Sequence, residues 1–261
     1  VRTLNKPFEL EIKAFETRQL MGESAATAIA AKINALLKIK PEVNIIFAAA
    51  PSQNEFLLAL INKDIEWNRI NAFHMDEYIG LHPDAPQAFG NFLKDRIFSK
   101  LPFKSINYLN GNANDIDAEC NRYKKLLSQY PTDIVCLGIG ENGHLAFNDP
   151  PVADFNDPKM VKQVKLDEAC RQQQVNDGCF KSIDEVPTHA LTLTIPALMS
   201  AGYLSVVVPG PAKAQAVYNT LHQPIAELYP STILRRHTNA VLYLDKDSDG
   251  LLKDVNVDLS K

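Results

Sequence analysis

Asp133-Ile134-Val135-Cys136-Leu137-Gly138-Ile139-Gly140-Glu141-Asn142-Gly143-His144 is the stretch that decides the fold. Its first half is apolar with no polar alternation, which reads as a short strand buried on both faces. Its second half holds three glycines in six residues, which let the backbone turn sharply and come close to a ligand. The loop therefore lies at the carboxyl end of a buried strand, where open α/β sheets bind ligands. It continues Leu145-Ala146-Phe147-Asn148-Asp149-Pro150, setting a carboxylate five residues after the histidine. Taken alone, the stretch also has a plainer reading: a Gly-rich connection with a surface histidine.

Working outward, the same alternation of strand and helix recurs. Met21, Ala25, Ile29, Ile33 and Leu37 repeat every four residues and predict a helix over 17–38, read as packing without chemistry. Val43 to Ala50 predicts a buried strand, and Pro51-Ser52-Gln53-Asn54-Glu55 opens a helix to about Asn62. Ser52 and Glu55 match a capping box, so this turn is either an anion site or simply a capped helix. Arg69 to Met75 predicts a strand with Asp76 and Glu77 at its end, and His74 reads as a packed residue rather than a base. Helices are predicted around 88–98 and over 115–129, with Ile106–Leu109 between them.

Beyond the opening loop, residues 152–185 are polar and irregular, a candidate lid or binding segment. Ala190 to Ile195 alternates as a half-buried strand, followed by a short helical piece around 196–200. Tyr203 to Val208 is a strongly apolar strand. Pro209-Gly210-Pro211-Ala212-Lys213 leads into a helix over 212–221. Lys213 falls in a first helical turn, where the dipole disfavours a cation unless it reaches an anion. After the last strand, Ala240–Leu244, the run Asp245-Lys246-Asp247-Ser248-Asp249-Gly250 imitates half a calcium loop. Its twelfth position is Asn256 and not glutamate, so a turn is expected. With no linker and no repeat, the pattern predicts one domain over 1–261. Its expected class is a three-layer α/β/α sandwich with a mostly parallel, Rossmann-like sheet.

The 261 residues are 46% hydrophobic and 22% charged, as in an ordinary globular protein. A net charge of −4 gives no basic face for nucleic acid. No stretch approaches the roughly 20 apolar residues of a membrane helix, and Val1–Pro7 lacks the apolar core of a signal peptide. Cys120, Cys136, Cys170 and Cys179 show no C-x-x-C spacing. They read as reduced thiols in a cytoplasmic protein without a metal centre.

Three stretches now stand together: Phe73 to Leu81, Gly138 to Pro150, and Gly210 to Ala214. They resemble the glucosamine-6-phosphate deaminase/isomerase family, which shares its fold with 6-phosphogluconolactonases. The likeness runs from the first helix to about Asp245. Tyr78 and Ala146-Phe147-Asn148 favour the deaminase branch. The resemblance implies that an amino-hexose 6-phosphate (glucosamine 6-phosphate, or its galactosamine epimer) and water become a ketohexose 6-phosphate and ammonia. It implies no metal or organic cofactor, and either a monomer or a homo-oligomer. By motif, Asp76 corresponds to the carboxylate that moves a proton between C2 and C1. His144 corresponds to the group that opens the sugar ring, and Asp149 to the partner that orients it. Ser52, Arg171 and Lys213 fall where the family holds the phosphate.

Departures from the family pattern define what the structure has to answer. Asn142 stands where some members have Asp and cannot supply charge. Asp149 stands where Glu is usual and is shorter by one methylene, roughly 1.5 Å. Misplacement on that scale could cost about a hundredfold in rate unless the loop shifts. Ala48-Ala49-Ala50-Pro51-Ser52-Gln53 replaces a glycine-rich loop with threonines, which restricts backbone approach to a phosphate. Two other readings follow: a lactonase-type hydrolase in which His144 activates water, and a non-catalytic sugar-phosphate-binding protein.

Overall fold

Alternate residues of the strand Ile134–Leu137 feed two different cores. Ile134 and Cys136 pack into one apolar cluster, and Val135 and Leu137 into a second on the opposite face. The strand Val43–Phe47 divides likewise, with Ile45 and Phe47 on one side and Ile46 on the other. Two cores sharing one sheet is the middle layer of a three-layer sandwich. The computed structural model describes residues 2–3 and 10–252. Most of the Val1–Pro7 stretch, and Asn256, lie outside the described residues.

In chain order the elements are β1 (Arg2–Thr3), β2 (Glu11–Phe15), α1 (Arg18–Leu37), β3 (Val43–Phe47), α2 (Asn54–Leu60) and β4 (Ile70–His74). There follow β5 (Asp76–Tyr78), α3 (Phe89–Leu93), β6 (Ser105–Asn107), α4 (Ile116–Gln129), β7 (Ile134–Leu137) and β8 (Val161–Lys165). The chain continues with α5 (Glu168–Asn176), β9 (His189–Leu193), α6 (Ile195–Met199), β10 (Tyr203–Val208), α7 (Ala214–His222) and β11 (Ala240–Asp245). The main sheet runs β1-β2-β11-β10-β7-β3-β4-β6. Every neighbouring pair is parallel except β1 with β2. The expected mostly parallel sheet is therefore present.

After β3 the chain steps outward through β4 and β6, then returns to place β7 on the other side of β3. This reversal opens a crevice at the carboxyl ends of β3 and β7, the position at which such sheets hold ligands. The helix ends are fixed locally. Thr17 caps α1 by accepting the Leu20 N–H, Asp115 caps α4 through Ala118, and Asp167 caps α5 through Cys170.

Three expectations are corrected. Residues 152–185 are not irregular, since they contain β8 and α5. The strand predicted at 190–195 is buried throughout rather than half-buried: β9 forms a separate antiparallel sheet, β5-β9-β8. Its polar positions are buried too: Thr192 accepts the Phe147 N–H and Thr194 donates to the Lys159 carbonyl. The capping box is absent too. α2 starts at Asn54 without a side-chain cap, because Glu55 is held by Arg18 through hydrogen bonds of 2.9 and 3.1 Å. The calcium-like run is a turn, as expected: the buried Asp245 carboxylate accepts the backbone N–H groups of Gly210, Asp247 and Ser248.

Candidate active site

A cavity of about 240 Å³ opens at the crevice, walled by the segments that follow β3, β4, β7 and β10. Asp76 and His144 both face it, and so do Ser52 and Lys213. Residues distant in sequence meet because each ends a parallel strand.

His144 is held from below and behind. Its ring lies over Gly140, where an added Cβ would fall 2.1 Å from the ring carbon Cε1, so any side chain at 140 would occupy the ring's place. Its Nδ1 lies 2.7 Å from Asn142 Oδ1 and 3.0 Å from Asp149 Oδ1. Both neighbours are acceptors, so Nδ1 carries the proton and Nε2 keeps its lone pair. Among the described residues Nε2 takes no hydrogen bond. Asn142 also donates to Asp149 Oδ1 at 3.0 Å, which closes the triangle. Burial raises the Asp149 carboxyl pKa, but the hydrogen bond and charge of His144 outweigh it and hold the group below the usual range. One backbone outlier sits here: Ala146 has φ +52°. That left-handed conformation costs roughly 1–2 kcal/mol in a residue with a Cβ, and it turns the chain between His144 and the buried Phe147.

Asp76 is buried on β5 beside the same cavity. Burial, and then the charge of Glu77, push its carboxyl well above the ordinary carboxylate value. Glu77 is pinned by the backbone N–H groups of Tyr78, Phe89 and Gly90 at 2.8–3.0 Å. His74 is the packed residue expected. Its Nε2 accepts the Leu109 N–H, and burial lowers its pKa to about 4.

Lys213 lies in the short turn Pro211–Lys213 that leads into α7. Gly210, at φ +93°, makes that turn possible. Burial lowers the lysine pKa, and the charges of Asp177 and Glu141 oppose the shift. Arg18 is the residue that helix periodicity did not find. Two of its guanidinium nitrogens bind Glu55, and the arginine also lines the cavity. The signal was available, since Arg18 is a cation in the first turn of α1, the feature that singled out Lys213. Gln174 is a second unforeseen wall residue. It is buried against the cavity, and its side-chain amide has no hydrogen-bond partner among the described residues.

Arg171 is not part of this site. Its guanidinium donates to the Ile183 and Val186 carbonyls at 2.6–3.2 Å. It lines a separate surface groove with Lys165 and Asp167. α5 turns its glutamines toward the cavity and its arginine toward the following loop.

A profile of the family described as glucosamine-6-phosphate isomerases/6-phosphogluconolactonase matches residues 16–243. The chain belongs to this family. A glucosamine-6-phosphate deaminase of Listeria innocua is 35% identical over 212 residues, covering 81% of this chain and 88% of the relative. One from Bacillus cytotoxicus is 36% identical over 194 residues, covering 74% and 72%. A solved structure described as a monomeric glucosamine-6-phosphate deaminase superposes with a TM-score of 0.83 at 31% identity, covering 92% of this chain and 99% of that one. A 6-phosphogluconolactonase from Thermotoga maritima superposes at 0.73 with 20% identity, covering 90% and 99%, which speaks for the fold alone.

Within the family, the short Asp149 no longer stands as a misplacement. The 3.0 Å contact means that the shorter side chain reaches the histidine in this loop. Asp149→Glu is therefore expected to harm the enzyme. The side chain is 1% exposed, and an extra methylene in a filled site costs about 1–3 kcal/mol. A lower melting temperature and a fall of about 10- to 100-fold in kcat are expected. Thermal melts and steady-state kinetics check both; a gain in kcat would show that the loop has not adapted to the aspartate.

Proposed function

We propose that the protein is an amino-sugar phosphate deaminase/isomerase, acting on glucosamine 6-phosphate or its galactosamine epimer. The carrying observation is that a buried carboxyl of raised pKa, Asp76, faces the same cavity as the free Nε2 of His144. Aldose–ketose interconversion needs one base close to two adjacent carbons. A carboxylate whose pKa is moved toward neutrality can take a proton and return it. Asp76 takes the C2 proton and delivers it to C1. The amine-bearing carbon becomes an imine, and water releases it as ketone and ammonia. His144 receives and returns the ring hydroxyl proton at Nε2, while Asp149 and Asn142 hold the ring.

The phosphate, with up to about two negative charges, fits the end of the cavity where Lys213, Ser52 and Arg18 stand. Its binding positions the reacting carbons. Gln174 offers an unengaged amide to the sugar hydroxyls, which supports a binding role for the 152–185 segment. Lys213→Met is expected to raise KM by about 10- to 100-fold with a smaller change in kcat, since a charge-assisted hydrogen bond is worth roughly 1.5–3 kcal/mol. An unchanged KM would remove the lysine from the phosphate site.

The experiment that tests the assignment is ammonia release and ketose formation by purified protein, over a panel of hexosamine 6-phosphates. Release from one epimer supports the proposal. Acid formation from 6-phosphogluconolactone with no ammonia would transfer the protein to the hydrolase branch. Ligand-dependent thermal stabilisation without any turnover would make it a sensor.

A further inference from the structure

The fold brings a third side chain against the His144–Asp149 pair. Cys170, on α5, is 1% exposed, and His144 and Asp149 are 8% and 1% exposed. One ligand atom from each of the three lies within 4.8 Å of the other two. Asp149 Oδ2 is buried and takes no hydrogen bond from any nitrogen or oxygen donor, and the Cys170 thiol is the remaining donor to that carboxylate. A buried carboxylate beside an imidazole nitrogen and a thiol is a mixed nitrogen, oxygen and sulfur donor set within reach of one cation. We propose that His144, Asp149 and Cys170 form an inhibitory site for a thiophilic divalent cation of the zinc class.

Ligand chemistry selects the metal. One nitrogen, one sulfur and one carboxylate oxygen suit zinc, cadmium or cobalt, whereas magnesium and calcium take oxygen ligands. Tetrahedral zinc, with bonds of about 2.0–2.3 Å, sets its ligands roughly 3.3–3.6 Å apart. His144 Nδ1 and Asp149 Oδ1 stand at 3.0 Å, so that edge is nearly formed. Bringing in the sulfur requires a movement on the order of 1 Å. Nothing in the cysteine spacing announces this site, because its ligands come from one loop and a helix that meet only in the fold. Oxidation of the same thiol is a weaker use of the cluster, since burial pushes its pKa up and only the thiolate reacts readily.

The proton balance explains the inhibition. As the metal–sulfur bond forms, the thiol proton leaves to solvent. The imidazole keeps its single proton, which moves from Nδ1 to Nε2 as Nδ1 takes the metal. Nε2 then presents N–H to the cavity in place of a lone pair, and cannot accept a proton from a bound molecule. The metal also separates the histidine from its carboxylate.

The test is titration of the metal-free protein with Co²⁺ alone, followed by absorption. One equivalent is expected to give a thiolate-to-cobalt band in the near ultraviolet, abolished by Zn²⁺. Cys120→Ser and Cys179→Ser are expected to keep the band. Cys170→Ser is expected to lose it and to weaken binding by more than about 100-fold, the loss that outer partners alone reach. A wild-type protein without the band, or a Cys170→Ser protein that keeps it, overturns the site. Should Cys170→Ser fail to fold, His144→Ala decides in the same way. Zn²⁺ bound in one equivalent with turnover intact would overturn the inhibitory role. Because the band is read without substrate, the result is separate from that of the ammonia assay.

Discussion

Replacing Asp76 with asparagine is expected to lower turnover by about 10²–10⁴-fold, the usual weight of a general base, and to raise the melting temperature at neutral pH. Both follow from one fact, the burial that pushes this carboxyl above its ordinary value of 3.8. The sign is fixed by proton uptake. Below the ordinary value, folded and unfolded chains both hold the proton, and the group costs nothing. As pH rises past it, the unfolded chain ionises while the folded chain keeps its proton, and stability falls until the raised folded pKa is passed. Asparagine removes that penalty. The gain over wild type should therefore grow with pH and vanish in acid. For the same reason wild-type kcat should show an acid limb above the ordinary carboxylate range, and the variant should lack it. Melting curves across pH, with kinetics on the same samples, make the check. A variant that is less stable at neutral pH, or that still turns over, would remove Asp76 from the role of base.

His144→Gln is the second large effect. The amide keeps much of the side chain's volume and polarity but cannot shuttle a proton. A loss of about 10²–10⁴-fold in kcat is expected, with substrate affinity within a few-fold of wild type, because the proposed phosphate-binding residues stand elsewhere in the cavity. Calorimetric binding of substrate to the inactive variant measures the second half. Unchanged turnover would leave the histidine as a structural residue, and the free Nε2 without a task.

The fold was legible where burial is complete. The apolar runs that became β3, β7 and β10 were found because both faces of a central parallel strand are apolar. β2 was missed, since Glu11 and Lys13 break its apolar run. The small sheet was hidden for a similar reason. β8 carries Lys162, Gln163 and Lys165, so its strand character comes from pairing with β9 and not from its own composition. In the site, Asp76, His144, Asn142, Asp149, Ser52 and Lys213 were legible because local motifs carry them. Arg171 was placed from the resemblance, and the helical phase of α5 sends it away from the cavity. Arg18 and Gln174 were not found: neither belongs to a motif, and Arg18 carried only the weaker signal of a cation in a first helical turn. The Ser52–Glu55 pattern misled because a long-range ion pair with Arg18 outcompetes a local cap.

The clamp between Asp245 and Gly210 bears on protein engineering. The carboxylate at the end of the last strand grips the hairpin bend that presents Lys213, 35 residues earlier in the chain. Shortening this polypeptide past Ser248, or splicing a fusion partner in before it, would release that bend and disturb the position of Lys213 far from the cut. Truncated or fused forms meant to preserve catalysis should keep the whole Asp245–Ser248 corner intact.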